Sequence, residues 1–212
     1  MVRNLIPVLT QSNSPRLWRL FQKLFDQDKQ RIARACFDGQ KRVLEVGCSV
    51  GNISEIFKDI TCDFIGIDID QKALKYARER FLKVSHMTFH KADLNLLDSR
   101  FGRFDLIMFN GMCHHVETKD LEVLIGSAVN LLADKGKIIV SEPIISDDQS
   151  RIERFLQRLD RGNYFRSSSQ LQNILSQVSG MRIVRVDYAE IRISLLRWPL
   201  VGRYMTAHLV FK

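Results

Sequence analysis

The chain has 212 residues, of which 45% are hydrophobic and 26% charged, and a formal net charge of +8. That is the composition of an ordinary globular domain with enough material for a sizeable core, which excludes a disordered or fibrous chain. No apolar run is long enough to span a bilayer, and Cys36, Cys48, Cys62 and Cys113 show neither zinc-site spacing nor a disulfide framework.

The expectation is therefore one reduced domain in the cytoplasm, because the apolar stretch 5–9 is too short for a signal-peptide core and lacks a small-residue cleavage site. Charge is uneven: +4 over residues 1–40, −3 over 41–150 and +7 over 151–212. Basic flanks of this kind suit an anionic small molecule, RNA, or peripheral contact with an anionic membrane surface, as well as plain solvation.

Ser14-Pro15 is a helix start signal, and Leu17, Trp18, Leu20, Phe21, Leu24 and Phe25 follow at helical spacing, with Ile32, Ala33 and Phe37 after a charged break. This predicts one long or broken amphipathic helix over 1–40 that packs on the domain, with a substrate lid as the second reading. From residue 42, short apolar strands alternate with amphipathic helices: strands at 42–46, 63–67, 87–90, 104–109 and 137–141, helices at 52–59, 71–82 and 118–133. Such alternation predicts a parallel sheet covered on both faces, with its ligand at the carboxyl ends of the strands.

Further on, Ser146-Asp147-Asp148 can cap a helix carrying Ile152, Phe155, Leu156 and Leu159, and Ser167-Ser168-Ser169 can cap another that ends at Gly180. Strands at 181–191 and 204–211, joined by a short linker with Trp198-Pro199 and Gly202, predict an antiparallel hairpin at the sheet edge. The organisation expected is a single domain, 1–212: an N-terminal helical part (1–40), a core (41–145), a helical substrate-side segment (146–180) and the hairpin (181–212).

The candidate site residues lie on the predicted carboxyl edge. Val43-Leu44-Glu45-Val46-Gly47-Cys48-Ser49-Val50-Gly51 reads as a strand running into a glycine turn, with Asn52 to Phe57 as the start of a helix. The glycine spacing does not fit the dinucleotide fingerprint. In Phe64-Ile65-Gly66-Ile67-Asp68-Ile69-Asp70, Asp68 stands where a carboxylate accepts hydrogen bonds from both ribose hydroxyls, and Asp70 reads as a helix N-cap. Asp93, in Lys91-Ala92-Asp93-Leu94, can accept from an exocyclic amine. The strand 104–109 runs into Asn110-Gly111-Met112-Cys113-His114-His115, where imidazole is the natural base near neutral pH.

These four segments, with Gly136-Lys137-Ile138-Ile139-Val140-Ser141-Glu142-Pro143 as a fifth, resemble the motifs of the class I S-adenosylmethionine-dependent methyltransferases, small-molecule and lipid branch, over residues 40–145. The resemblance implies a Rossmann-like, doubly wound, seven-stranded sheet with a C-terminal antiparallel hairpin, and S-adenosylmethionine as cofactor. It implies that Glu45 orients the turn or holds the methionine ammonium, that Gly47, Cys48 and Gly51 form the backbone wall, and that Asp68, with Ile69, binds the ribose. Asp93 and Leu94 then frame the adenine, and Asn110 and Gly111 border the methionine end. Ser49 departs from the pattern, standing where the family has its middle glycine; a turn that keeps negative φ there would tolerate it.

The expected function is methyl transfer to a small-molecule or lipid-linked acceptor, at oxygen, with His114 or His115 as base and only one of them in the pocket because adjacent histidines on a loop point different ways. No metal is expected. Arg161, Tyr164 and Arg166 are the candidates for gripping an anionic acceptor. An RNA methyltransferase is the alternative enzyme, although the loop after the fourth strand lacks both the Asn/Asp-Pro-Pro-aromatic motif of adenine-amino enzymes and the Pro-Cys of cytosine C5 enzymes. A cofactor-binding scaffold without turnover is the non-catalytic alternative.

Overall fold

The computed structural model describes residues 14–97, 101–160, 162–194 and 199–212. The N-terminal stripe forms two helices, α1 (Pro15–Lys23) and α2 (Asp26–Ala35), with Pro15 at the first helical position after Ser14 and the break at Leu24 and Phe25. The core follows as β1 (Arg42–Val46), β2 (Asp63–Asp68), α3 (Gln71–Arg80), β3 (Met87–Lys91), β4 (Phe104–Asn110), α4 (Thr118–Val129) and β5 (Leu132–Ile145). The C-terminal third holds α5 (Arg151–Leu159), the short β6 (Arg166–Ser167), α6 (Ser168–Gln177), β7 (Met181–Arg192) and β8 (Leu200–Phe211).

The sheet runs β3-β2-β1-β4-β5-β8-β7, with β6 paired to the end of β5. It therefore has eight strands, one more than the seven expected, because the two residues of β6 pair with Ile144 and Ile145. Strands β3 to β5 are parallel along this path; β8 is antiparallel to both β5 and β7, which gives the expected hairpin at the edge. The strand order reverses between β1 and β4, so their carboxyl ends diverge into separate loops and open a crevice there.

Alternation along the central strands fills two cores. Leu44, Val46, Ile107 and Phe109 pack toward α4 and α6, while Val43, Phe64, Leu106 and Met108 pack toward α3, Ala33 and Phe57. Phe57 and Phe64 are fully buried with ring centroids 4.9 Å apart. Among the described residues no helix is long and apolar enough to cross a membrane.

Three local expectations need correction. The helix expected at 52–59 is a single 3-10 turn, Ser54–Phe57: Ile53 and Phe57 are already buried there, and Ser54 turns its hydroxyl onto a buried acid instead of solvent. α5 is capped by Ser150 in a capping box with Glu153, whereas Asp148 pairs with Arg203. β5 starts at Leu132, because Leu132 pairs with Phe104 ahead of a register shift, so α4 is correspondingly shorter. Residues 195–198 of the expected linker lie outside the described residues.

Phe64→Ala should destabilise the fold by about 3–5 kcal/mol in urea denaturation, through lost burial and an unfilled cavity, whereas Val123→Ala on the exposed face of α4 should change it by less than about 0.5 kcal/mol.

Candidate functional site

The turn after β1 is held by backbone and carboxylate together. Gly47 and Cys48 both donate to the Ile67 carbonyl, at 2.8 and 3.0 Å. Asp68, at the end of β2, accepts from the Ser49 N–H through one oxygen and from the Asp70 N–H through the other, each at 2.8 Å. Ser49 sits at φ +51°, so the expectation of a negative φ is wrong: the chain takes the left-handed conformation with a side chain present. Asp70 caps α3 as expected, accepting from Lys72 and Ala73. Gly51 lies behind the turn, where an added Cβ would stand 2.6 Å from Phe81, and it does not line the cavity.

A cavity of about 680 Å³ opens over this edge of the sheet. Glu45, Gly47, Cys48, Asp68, Ile69, Asp93, Leu94, Asn110 and Gly111 all line it, which brings most of the sequence candidates into one place. Glu45 is buried, accepts from the Ser54 hydroxyl at 2.5 Å, and is pushed up to about 7 by burial. Asp68 is raised by burial as well, with its backbone hydrogen bonds opposing. Ile69 is 73% exposed, an apolar side chain left on the cavity rim. Asp93 caps the 3-10 turn Leu94–Leu96 through the Asn95 N–H at 3.0 Å, and Leu94 is buried beneath it. Asn52 Oδ1 and Asp26 Oδ1 are buried without hydrogen-bond partners among the described residues, and both residues line the cavity.

The loop after β4 is organised by Glu142 of β5, which the sequence reading quoted only as part of a strand. Its buried carboxylate accepts from the backbone N–H groups of Met112, Cys113 and His114, at 2.7, 2.8 and 3.3 Å, and lies 2.8 Å from His114 Nδ1. His114 Nε2 lies 3.2 Å from Asp160 Oδ1. Burial alone would lower the His114 pKa, but hydrogen bonds to Asp160 and Glu142 and their charges raise it to about 9. Both acids are held below their ordinary range despite burial, chiefly by hydrogen bonds with that imidazole.

His114 is thus a buried imidazolium between two carboxylates, and both its nitrogens are engaged. His115 is more open, with its side chain 43% exposed and Nε2 3.7 Å from Asp160. Both histidines line the cavity and their tilted rings have centroids 4.3 Å apart, so the 3-10 turn Cys113–His115 brings both to the cavity where only one was expected. His114, His115 and Asp160 place one ligand atom each within 4.8 Å of one another. In this arrangement the His114 nitrogen that a cation would need is used by Asp160.

The residues expected to grip an acceptor are placed otherwise. Arg166 is buried and donates to the Cys113 and Val116 carbonyls, at 2.9 and 2.6 Å, and to Thr118, which locks the β4–α4 loop. Tyr164 donates to Glu117 at 2.9 Å and lies outside the main cavity. Arg161 lies outside the described residues. The cavity wall opposite the strand ends comes instead from the N-terminal helices and the hairpin: Trp18, Phe21, Phe25 and Lys29, with Leu156, Phe165 and Tyr204. The aromatic stripe of α1 therefore serves packing and cavity at once. Its helical period was visible in sequence; which side chains meet Tyr204 was not.

Residues 43–136 match the family model described as a methyltransferase domain. Over 80 residues the chain is 34% identical to the ubiquinone biosynthesis O-methyltransferase of Bordetella avium, an alignment covering 36% of this chain and 32% of that protein. Among solved structures, the mitomycin 7-O-methyltransferase MmcR matches with a TM-score of 0.72 at 14% identity, over 98% of this chain and 60% of that one. The magnesium protoporphyrin IX methyltransferase of Synechocystis PCC 6803 with bound SAH matches at 0.66 and 19% identity, over 91% and 87%. At those identities the likeness concerns the fold. The chain spans between 2% and 60% of the length of the curated relatives it matches.

Ser49→Gly should raise stability by about 1 kcal/mol, since glycine relieves the left-handed strain; a lower melting temperature would contradict this. His114 gains its partners on folding, so its contribution is complete below pH 6.5 and is lost as pH rises toward about 9. In urea titrations, His114→Gln should lower stability at pH 6 by about 3 kcal/mol or more and flatten the decline between pH 6.5 and 9.

Proposed function

We propose that the protein, whose residues 43–136 match a methyltransferase-domain family model, is a class I S-adenosylmethionine-dependent methyltransferase that transfers a methyl group to an oxygen of a small-molecule acceptor. The carrying observation is the single cavity at the strand-order reversal, which joins a polar wall of Glu45, Asp68 and Asp93 to an apolar chamber under α1 and α2. The residues present fit the cofactor. Asn52 Oδ1 is a buried acceptor without a partner among the described residues, and the backbone at Gly47 would meet Met112 if it carried a Cβ.

When bound, the cofactor supplies an electrophilic methyl group on a sulfonium. The chain supplies position. In this reading Asp68 keeps a lone pair on each carboxylate oxygen for a ribose hydroxyl while holding the turn, Asp93 and Leu94 border the adenine with Ile69 against its face, and Glu45 accepts from the methionine ammonium. Gly47 and Cys48 form the wall beside the methionine, with Asn110 and Gly111 across from it.

A proton leaving an acceptor hydroxyl needs a base. His114 is charged near neutral pH and is the positioning residue, set between Glu142 and Asp160. His115, more exposed on the same cavity, is the histidine we assign to that proton. The RNA reading draws less support: Arg166 is used on loop carbonyls, and Arg185, Arg192 and Arg203 are each paired with a carboxylate.

Calorimetry with S-adenosylhomocysteine tests the reading. Binding is expected, and Asp68→Ala should weaken it by about 2 kcal/mol or more; no binding to the unaltered protein would remove the cofactor assignment. Binding without methyl transfer to any fraction of a cell extract would favour the scaffold alternative, and transfer into RNA would favour that acceptor. His115→Ala should lower turnover while leaving cofactor affinity unchanged.

Glu45 is half-protonated near pH 7 in the ligand-free protein. An ammonium beside it favours the carboxylate, so affinity should rise from pH 6 to 8 with proton release. Glu45→Gln should abolish both the rise and the release; a slope unchanged in that variant would place the ammonium elsewhere.

A further inference from the structure

Half of the cavity lies away from the residues assigned to the cofactor. Trp18 and Phe21 of α1, Phe25 between the helices, Leu156 of α5 and Phe165 make its wall largely aromatic, with Gln22 and Asp26 as polar members of the lining. Phe25 packs with Ile191, Val201 and Tyr204, and Phe21 and Leu156 pack against that cluster, so the chamber has a fixed wall. A flat apolar ring is the ligand shape such walls favour.

Among the described residues one lysine and no arginine lines this chamber. Lys29 of α2 places Nζ 3.2 Å from Gln22 Oε1 and 5.6 Å from the centroid of the Tyr204 ring. Among the described residues no carboxylate lies within ion-pair distance of Lys29 Nζ. Burial works against its charge, but Tyr204, Asp26 and Asp160 together hold its pKa above the ordinary lysine value, so it stays protonated. The Tyr204 hydroxyl lies 3.4 Å from the point that a Cβ on Gly111 would occupy. Lysine and tyrosine thus meet at the end of β4, beside the methionine end of the proposed cofactor site.

We propose that this half of the cavity binds an aromatic acceptor that carries a carboxylate, with Lys29 Nζ and the Tyr204 hydroxyl holding the carboxylate and Trp18, Phe21 and Phe25 lying against the ring. A cation and a hydroxyl set side by side match the two oxygens of a carboxylate, and low surrounding polarity strengthens the charge-assisted hydrogen bond. The site rests on the reading of the other half of the cavity as the cofactor half, and it fills the role for which Arg161, Tyr164 and Arg166 were candidates.

Benzoate and 4-hydroxybenzoate are to be compared with benzamide and 4-hydroxybenzamide by calorimetry, on the protein alone and again saturated with S-adenosylhomocysteine. The acids are expected to bind about tenfold or more tighter than the amides. Lys29→Met should erase that preference, Lys29→Arg should restore most of it, and S-adenosylhomocysteine affinity should stay unchanged in both variants, which also reports that they fold. Equal binding of acids and amides to the unaltered protein would overturn the proposal. So would a Lys29→Met variant that keeps the preference but loses S-adenosylhomocysteine affinity, because the lysine would then hold the donor's own carboxylate. Failure of S-adenosylhomocysteine to bind the unaltered protein would strike the cofactor reading alone, since the benzoate comparison on the protein alone is independent of it.

Discussion

A buried carboxylate is costly unless it is neutralised and hydrogen-bonded on every side, and Glu142 meets that demand by gathering the chain around it. Three successive backbone N–H groups of the β4–α4 loop and the His114 imidazole all converge on this one side chain. The loop cannot relax toward solvent without stranding the charge. His114 in turn reaches Asp160 after α5, and the fit is close: a Cβ on Gly162 would overlap the His114 ring, at 2.0 Å from Cδ2. One buried acid in β5 therefore sets both the β4–α4 rim of the cavity and the segment after α5 that borders it.

The glycine turn follows a similar economy of groups. Asp68 holds the Ser49 N–H and so keeps the turn in the left-handed form that the side chain of Ser49 resists. An ion-pair chain then ties the N-terminal helices to it: Arg80 pairs with Glu55 and reaches the Val50 and Gly51 carbonyls, Arg19 lies 3.9 Å from the same glutamate, and Arg19 also pairs with Asp26 of α2. Gln30 adds a bond to the Asn52 carbonyl at 2.8 Å. The helices that form one wall of the cavity are thereby held by the turn that forms the other.

The parts of this arrangement that depend on periodicity or local chain geometry were legible in the sequence. Short apolar strands alternating with amphipathic helices gave the parallel sheet, the glycine turn and Asp68 stood at the right distance to share an edge, and Asp70 could cap only the helix that follows it. Legibility ended where a residue's partner is distant in the chain. Arg166 looked like an anion clamp because nothing local shows that its guanidinium is spent on Cys113 and Val116. The paired histidines looked like a free base because Glu142 is 28 residues away from His114 and Asp160 is 46. A lone charged residue within the stretch 138–145, as Glu142 is, was the signal that could have found it.

By itself the sequence determined the fold class and most of the strand-end residues that line the cavity at the carboxyl edge, since these follow from the order of the elements, turn chemistry and short-range spacing. Tertiary structure alone decided the charge of His114, the left-handed strain at Ser49 and the placing of Lys29 beside Tyr204. The physical reason is that protonation, strain and ligand contact depend on which groups are brought within a few ångströms after the chain has lost contact with water, and such neighbours are set by packing between elements far apart in sequence.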